Sequence, residues 1–292
     1  MVGAMMILQR TCERGSAARR GFIGYVLGAV LAGGIPFATP AAAQAAPASA
    51  QVQIRYEPST KFTAVRDLLQ RHKVLEKAQI FMSPLRLPRT LTIRSAECGA
   101  PSIPYDAAKG IITICYEAIA SIQELAKGSE TDANKLAAVI TGGVVEEVLH
   151  RMALGILQVF DVPVWGREDD AADLLGAFLV LQFDEQTART AIIGAASLFI
   201  SATSSIGKVD YVSDTSPSAQ RFFNFLCIAY GGDPFAFQVM VDKGFLPKER
   251  AARCAGEYNT VRKAFDLRLM PHVDPDLVVK IRAIDWLSEK NN

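Results

Sequence analysis

A series of helix-forming segments dominates the chain after residue 117 and most limits the folds open to it. Between Asp132 and Phe160 apolar residues recur at spacings of three and four, which predicts one long helix with a break at Gly142-Gly143. The same pattern predicts further helices over residues 117–127, 168–183, 185–201, 218–229, 234–243 and 247–268. The two most apolar of these runs are too short to cross a bilayer, so they predict buried core helices.

Short strand patterns precede this helical part. Val52–Tyr56 alternates in the manner of an edge strand, and Leu91–Ile93 and Gly110–Tyr116 predict two more strands. One amphipathic helix is predicted over residues 63–79. A small N-terminal sheet followed by a mainly helical core is an α+β arrangement.

The first residues have the composition of an export signal. A basic region leads into an apolar stretch over residues 22–38, and Ala-x-Ala triplets end at Ala43 and Ala45. This order predicts a signal peptide over residues 1–45, cleaved after one of these two alanines. An uncleaved anchor is the alternative, but the apolar stretch is short and interrupted by glycines, whereas a spanning helix needs about 20 apolar residues.

The remaining residues, 46–292, are predicted to form a single domain in the periplasm or outside the cell, with no stable membrane span. Arg19-Arg20 is similar to the pair of a twin-arginine signal, which leaves that route and the ordinary one both open. Removing residues 1–45 takes four of the 31 basic and one of the 30 acidic residues, leaving 27 against 29. A nearly neutral chain does not predict nucleic acid as a partner.

Four cysteines remain after the predicted cleavage, because Cys12 leaves with the signal. An even number in an exported chain predicts two disulfides, for which three pairings are open. We favour Cys98 with Cys115 and Cys227 with Cys254, since the members of each pair are close in sequence. The first bridge would then join the two strands of a hairpin.

Polar residues in two apolar helices are the strongest candidates for chemistry. Glu146, Glu147 and His150 lie in the long predicted helix. The first turns of the next helix carry four acids, namely Glu168, Asp169, Asp170 and Asp173. Acids in a first turn often serve only to cap the helix and complement its dipole. Asp173 differs, because it precedes a stretch that should be buried and must find a partner there.

The second of these helices lies in a recognisable motif. Residues 161–173 read Asp-Val-Pro-Val-Trp-Gly-Arg-Glu-Asp-Asp-Ala-Ala-Asp, and further matching segments include Cys98-Gly99, Gln220-Arg221-Phe222-Phe223-Asn224 and Gly244-Phe245-Leu246-Pro247. Together they resemble a bacterial family of exported, zincin-like zinc metallopeptidases, across most of the chain after the signal. The resemblance implies a zincin-like fold and a zinc site built on a His-Glu-x-x-His helix.

The metal motif itself is degenerate in this chain. The family spacing places it on residues 150–154, so His150 is the first ligand, Arg151 stands at the catalytic Glu and Leu154 at the second His. The resemblance makes Asp169 the third ligand. In a zincin the two histidines bind the ion from one helix face and the Glu activates water. Neither Leu nor Arg can perform these roles.

These losses predict a protein that binds zinc weakly or not at all and has no peptidase activity. A guanidinium about 5 Å from a divalent ion would repel it by about 6 to 7 kcal/mol at an effective dielectric of about 20. We therefore expect Arg151 to replace the metal, with its charge met by Asp169, Asp173 or Glu147. The expected role is binding of a peptide or an envelope protein, or a structural role in the envelope. The alternative is an active peptidase with a displaced site formed by Glu146, His150 and Asp169.

Overall fold

The computed structural model describes residues 51–102, 105–205, 212–213 and 215–286. The predicted signal peptide and its cleavage point lie outside these residues. Among the described helices, none is both long and apolar enough to cross a membrane.

Three short strands form a sheet near the N-terminus, as predicted. They are β1 (Val52–Tyr56), β2 (Leu91–Ala96) and β3 (Ile111–Cys115), in the order β1-β2-β3. All neighbours are parallel. Parallel strands cannot be joined by a hairpin turn, so the predicted hairpin between the second and third strands is wrong. Residues 97–110 connect them instead.

The connection between β1 and β2 holds two helices where one was predicted. These are α1 (Thr63–Arg71) and α2 (Val74–Met82), separated at Lys73, which has a left-handed φ of 48°. The hydroxyl of Tyr56 fixes the start of α2: it accepts from the Leu75 N–H at 3.0 Å and donates to Glu76 at 2.8 Å. This tertiary contact explains the break, which the apolar spacing alone does not reveal.

The rest of the described chain is helical, which confirms the α+β class. The principal helices are α3 (Tyr116–Ser129), α4 (Ala133–Val159), α5 (Glu168–Val180), α6 (Glu185–Ser205), α7 (Ser218–Gly232), α8 (Pro234–Asp242) and α9 (Lys248–Arg268). Their bounds lie within a few residues of most predicted ones. The long helix α4 packs against α5 and α6, and α5 and α6 also pack against α7.

The break predicted at Gly142-Gly143 is absent, because α4 continues through both residues. The glycines allow a close helix crossing instead. A Cβ on Gly142 would lie 2.6 Å from the Cα of Gly194 in α6, and one on Gly143 would lie 2.0 Å from the Leu198 side chain. Helix backbones can touch only where the residues have no side chain. The close packing of α4 on α6 at these positions offsets the low helix propensity of glycine.

Both favoured disulfides are present. Cys98–Cys115 joins the segment after β2 to the last residue of β3, with 5.6 Å between the Cα atoms. Cys227–Cys254 joins α7 to α9 across a Cα separation of 4.8 Å. Each bridge closes a loop of moderate length, so each stabilises the fold by about 3 kcal/mol on the chain-entropy model.

Candidate functional site

The candidate site lies where three buried helices meet. Helix α4 supplies Glu146 and His150 one turn apart, and α5 supplies Asp169 and Asp173 with the same spacing. Residues four apart lie on one helix face, so each pair points toward the other helix. The third helix, α7, supplies Arg221.

His150 connects the two acids of α5. It is 3% exposed, and its Nδ1 lies 2.7 Å from Asp173 Oδ1 while its Nε2 lies 3.2 Å from Asp169 Oδ1. Burial lowers the pKa of His150, but hydrogen bonds to Asp169 and Asp173 outweigh it and raise the pKa to about 9. At neutral pH the ring is therefore an imidazolium whose two N–H groups both donate to carboxylates.

Asp173 finds the buried partner that its position in the sequence demanded. Besides His150, it accepts two hydrogen bonds from Arg221, from Nε to Oδ2 at 2.6 Å and from Nη2 to Oδ1 at 2.7 Å. Burial would raise the pKa of Asp173, yet the charges of Arg221 and His150 and their hydrogen bonds lower it to about 2. The carboxylate is thus ionised and paired on both sides.

Arg221 is the site residue that sequence reasoning missed. Its Nη2 also donates to Glu146 Oε1 at 3.1 Å, and its guanidinium lies 4.5 Å from the ring centroid of Phe199. It had appeared only as part of a matching segment of the family. The sequence does contain one indication, which is that Arg221 lies beside the buried residues Phe222 and Phe225 of α7. A buried arginine is expected to pair with acidic side chains. The sequence does not show which acids they are.

Arg151 does not enter this cluster. Its Nε donates to Glu147 Oε1 at 2.8 Å, one turn earlier on α4, with both side chains mostly buried. Three acids were expected to neutralise the charge of Arg151, and Glu147 is the one that pairs with it. Asp169 and Asp173 pair with His150, and the arginine that pairs with the buried carboxylates Asp173 and Glu146 is Arg221 rather than Arg151.

The other two acids of α5 hold neighbouring segments. Glu168 accepts from the Gln158 side chain at 2.7 Å. Asp170 accepts from Arg167 Nε at 2.9 Å and from the backbone N–H of Ser216 at 3.1 Å. Both carboxylates thus have structural partners outside the cluster around His150.

Three side chains are placed so that they could hold a metal ion. Glu146, His150 and Asp173 each offer a ligand atom, and these atoms lie within 4.8 Å of one another. The displaced site expected from the sequence has Asp169 as its third member, whereas this group has Asp173; Asp169 lies on the other side of the His150 ring. Leu154, at the expected second histidine, is a buried apolar residue with no ligand atom.

The surroundings of these donors fit a guanidinium better than a divalent ion. Arg221 Nη2 already bridges Glu146 Oε1 and Asp173 Oδ1, the same oxygen that His150 Nδ1 contacts. An ion between these atoms would have to displace that nitrogen. On the other side of the ring, Nε2 faces Asp169 but lacks the second histidine that a zincin provides.

The described residues thus form an α+β fold whose helices bring together three side chains that could hold a metal ion. A family model, DUF4344, described as "Putative metallopeptidase", matches residues 56–269, and the chain belongs to that family. Comparison at a stringent threshold finds no matching curated protein and no matching solved structure.

Proposed function

We propose that this chain is an exported metallopeptidase homologue without peptidase activity, in which Arg221 takes the place of a metal ion. The observation that carries the proposal is the bidentate pair of Arg221 with Asp173, extended to Glu146. A permanent internal cation neutralises the carboxylates that could otherwise bind an ion, and it holds α4, α5 and α7 together.

The residues around the cluster support inactivity independently. Metal-dependent hydrolysis needs a bound water and a group that takes its proton. Arg151 stands at the position of that group and remains protonated in proteins. The nearest acid on its helix face, Glu147, is already paired with it at 2.8 Å.

One observation favours a second candidate function, an active peptidase with a displaced metal. The sequence Glu146-Glu147-x-x-His150 repeats the spacing of a zincin helix one turn earlier, with Glu in place of the first His. Asp173 completes a three-donor group. This function requires Arg221 to leave two carboxylates, at the cost of unpaired buried charges.

Peptidase assays separate the two candidates. Purified protein is incubated with an unfolded protein substrate, with and without added zinc, beside His150→Ala and Glu147→Gln variants. We expect no cleavage above that of the variants in either condition. Zinc-dependent cleavage that both substitutions abolish would establish the displaced site and overturn the proposal.

We further propose that the protein works outside the cytoplasm, as a binding or structural component of the envelope. Two disulfides support an oxidising compartment. Mass spectrometry of the protein recovered from the envelope fraction tests this. We expect a mature N-terminus directly after Ala43 or Ala45, and recovery of the uncleaved chain from the cytoplasm would contradict it.

A further inference from the structure

A second site lies along the contact between α4 and α6, away from His150. The two helices touch at Gly142 and Gly194, where no side chain separates the backbones. Toward the N-terminus of both helices the surfaces leave a cavity of about 390 Å³. This volume lies within the range of small-molecule sites, about 300 to 1,000 Å³.

The rim of this cavity carries two cations. Lys135 comes from the first turn of α4 and Arg189 from the second turn of α6. Arg189 Nη1 donates to the Ala236 carbonyl at 2.8 Å, which fixes the guanidinium in place. The Lys135 side chain interacts electrostatically with the exposed carboxylate of Asp132. Within the described part of the chain, however, neither its ammonium nor the remaining donors of Arg189 make a hydrogen bond.

One acid also lines the cavity, but it is already engaged. Glu130 Oε1 accepts the backbone N–H groups of Thr131 and Asp132, each at 2.9 Å. The lining therefore carries two positive charges and one negative charge. Asp132, which interacts with Lys135, lies outside the lining and accepts the backbone N–H groups of Asn134 and Lys135, each at 3.0 Å. An anionic ligand in the cavity would balance the charges of the lining. Thr190 and Gln186 add a hydroxyl and an amide that can donate to the same ligand.

Part of the cavity wall is apolar. Ala138, Val139 and Ile193 line it beside Gly194. A ligand that fits this lining has an anionic head for the cations and a short apolar body for the wall.

We propose that this cavity binds a small organic carboxylate, with its head between Lys135 and Arg189. The site shares no lining residue with the cluster around His150. Its existence therefore does not depend on whether the protein holds a metal or cleaves peptides.

A larger cavity of about 560 Å³ lies between α7 and the start of α9, but it lacks this chemistry. Its lining cation, Arg250, already donates to Glu257, to Asn224 and to Cys227 Sγ. An anion there would compete with an internal carboxylate.

Calorimetric titration with hexanoate tests the proposal, with 1-hexanol and hexylamine as probes of the same chain length. We expect saturable binding of hexanoate alone. Lys135→Gln should weaken it about tenfold, because the substitution removes a charge-assisted hydrogen bond to the carboxylate. Thr190→Val should weaken it less. Lys263→Gln, an exposed lysine on α9, is the matched control and should leave the affinity unchanged.

Two outcomes would overturn the assignment. Binding of hexanol or hexylamine as tightly as hexanoate would show that no anion is recognised. Equal affinity in the wild type, Lys135→Gln and Thr190→Val would place the ligand elsewhere. Thermal melts check that each variant is folded. We expect both to be folded, because both substituted residues line the cavity and are not part of the core.

Discussion

Replacing Arg221 by methionine removes the cation at the centre of the three-helix cluster while keeping an apolar stem of similar length. Asp173 and Glu146, whose side chains are 8% and 11% exposed, then lose their common partner. Breaking a buried pair by removing one member costs about 3–5 kcal/mol. For a domain of this size each kcal/mol lowers the Tm by about 2–4 °C, so the expected fall is about 6–20 °C.

A matched substitution isolates burial as the cause. Arg167→Gln breaks the pair between Arg167 and Asp170, whose side chains are 42% and 29% exposed, and exposed pairs contribute about 0–1 kcal/mol. It also removes the hydrogen bond from Arg167 to the Ser216 hydroxyl, so its cost is an upper value for the pair. Thermal and urea unfolding of both variants gives the comparison. In an Asp173→Asn background, Arg221→Met should cost less, because one unpaired charge is absent. If Arg221→Met is no more destabilising than Arg167→Gln, the cluster does not depend on this cation and the reasoning fails.

Three further predictions concern acid–base behaviour, metal binding and packing. Burial raises the pKa of Glu146 to about 7, and hydrogen bonds raise that of His150 to about 9, so the folded state holds protons that the unfolded state releases earlier. Stability should thus fall as pH rises from about 6 to 9 in a series of melts, and a Tm that rises over this interval would contradict it. Arg151→Glu with Leu154→His should bind zinc in a competition titration with a chromophoric chelator, whereas Arg151→Glu with Leu154→Ala should not; equal uptake by both would show that the ligand geometry is lost. Gly142→Val should force α4 and α6 apart and lower stability by several kcal/mol in urea unfolding, and a variant as stable as wild type would refute the close crossing.

The sequence predicted the class of fold and the two disulfides, because helical spacing and cysteine proximity are local properties. The direction of the strands was not predictable in this way, since Leu91–Ile93 has the same pattern in a hairpin and in a parallel sheet. Gly142 was misread for a related reason. A glycine inside a helical pattern indicates a break or a close contact, and only the position of α6 decides between them.

The candidate site was predictable in part. The sequence showed that Asp173 needed a buried partner and that His150 lacked the other ligands of a zincin. It did not show that Arg221, 48 residues further along the chain, supplies the positive charge. A pairing across that separation depends on how α5 and α7 pack, which no spacing rule contains. Sequence reasoning therefore predicted Arg151 as the cation of the site, whereas in the structure Arg151 pairs with Glu147.

Anomalous diffraction at the zinc edge, from crystals grown with zinc, tests the central claim most directly. We predict no anomalous peak among Glu146, His150 and Asp173, and electron density for Arg221 within hydrogen-bond distance of both carboxylates. A full-occupancy zinc peak bonded to His150, with the Arg221 side chain displaced, would contradict the account.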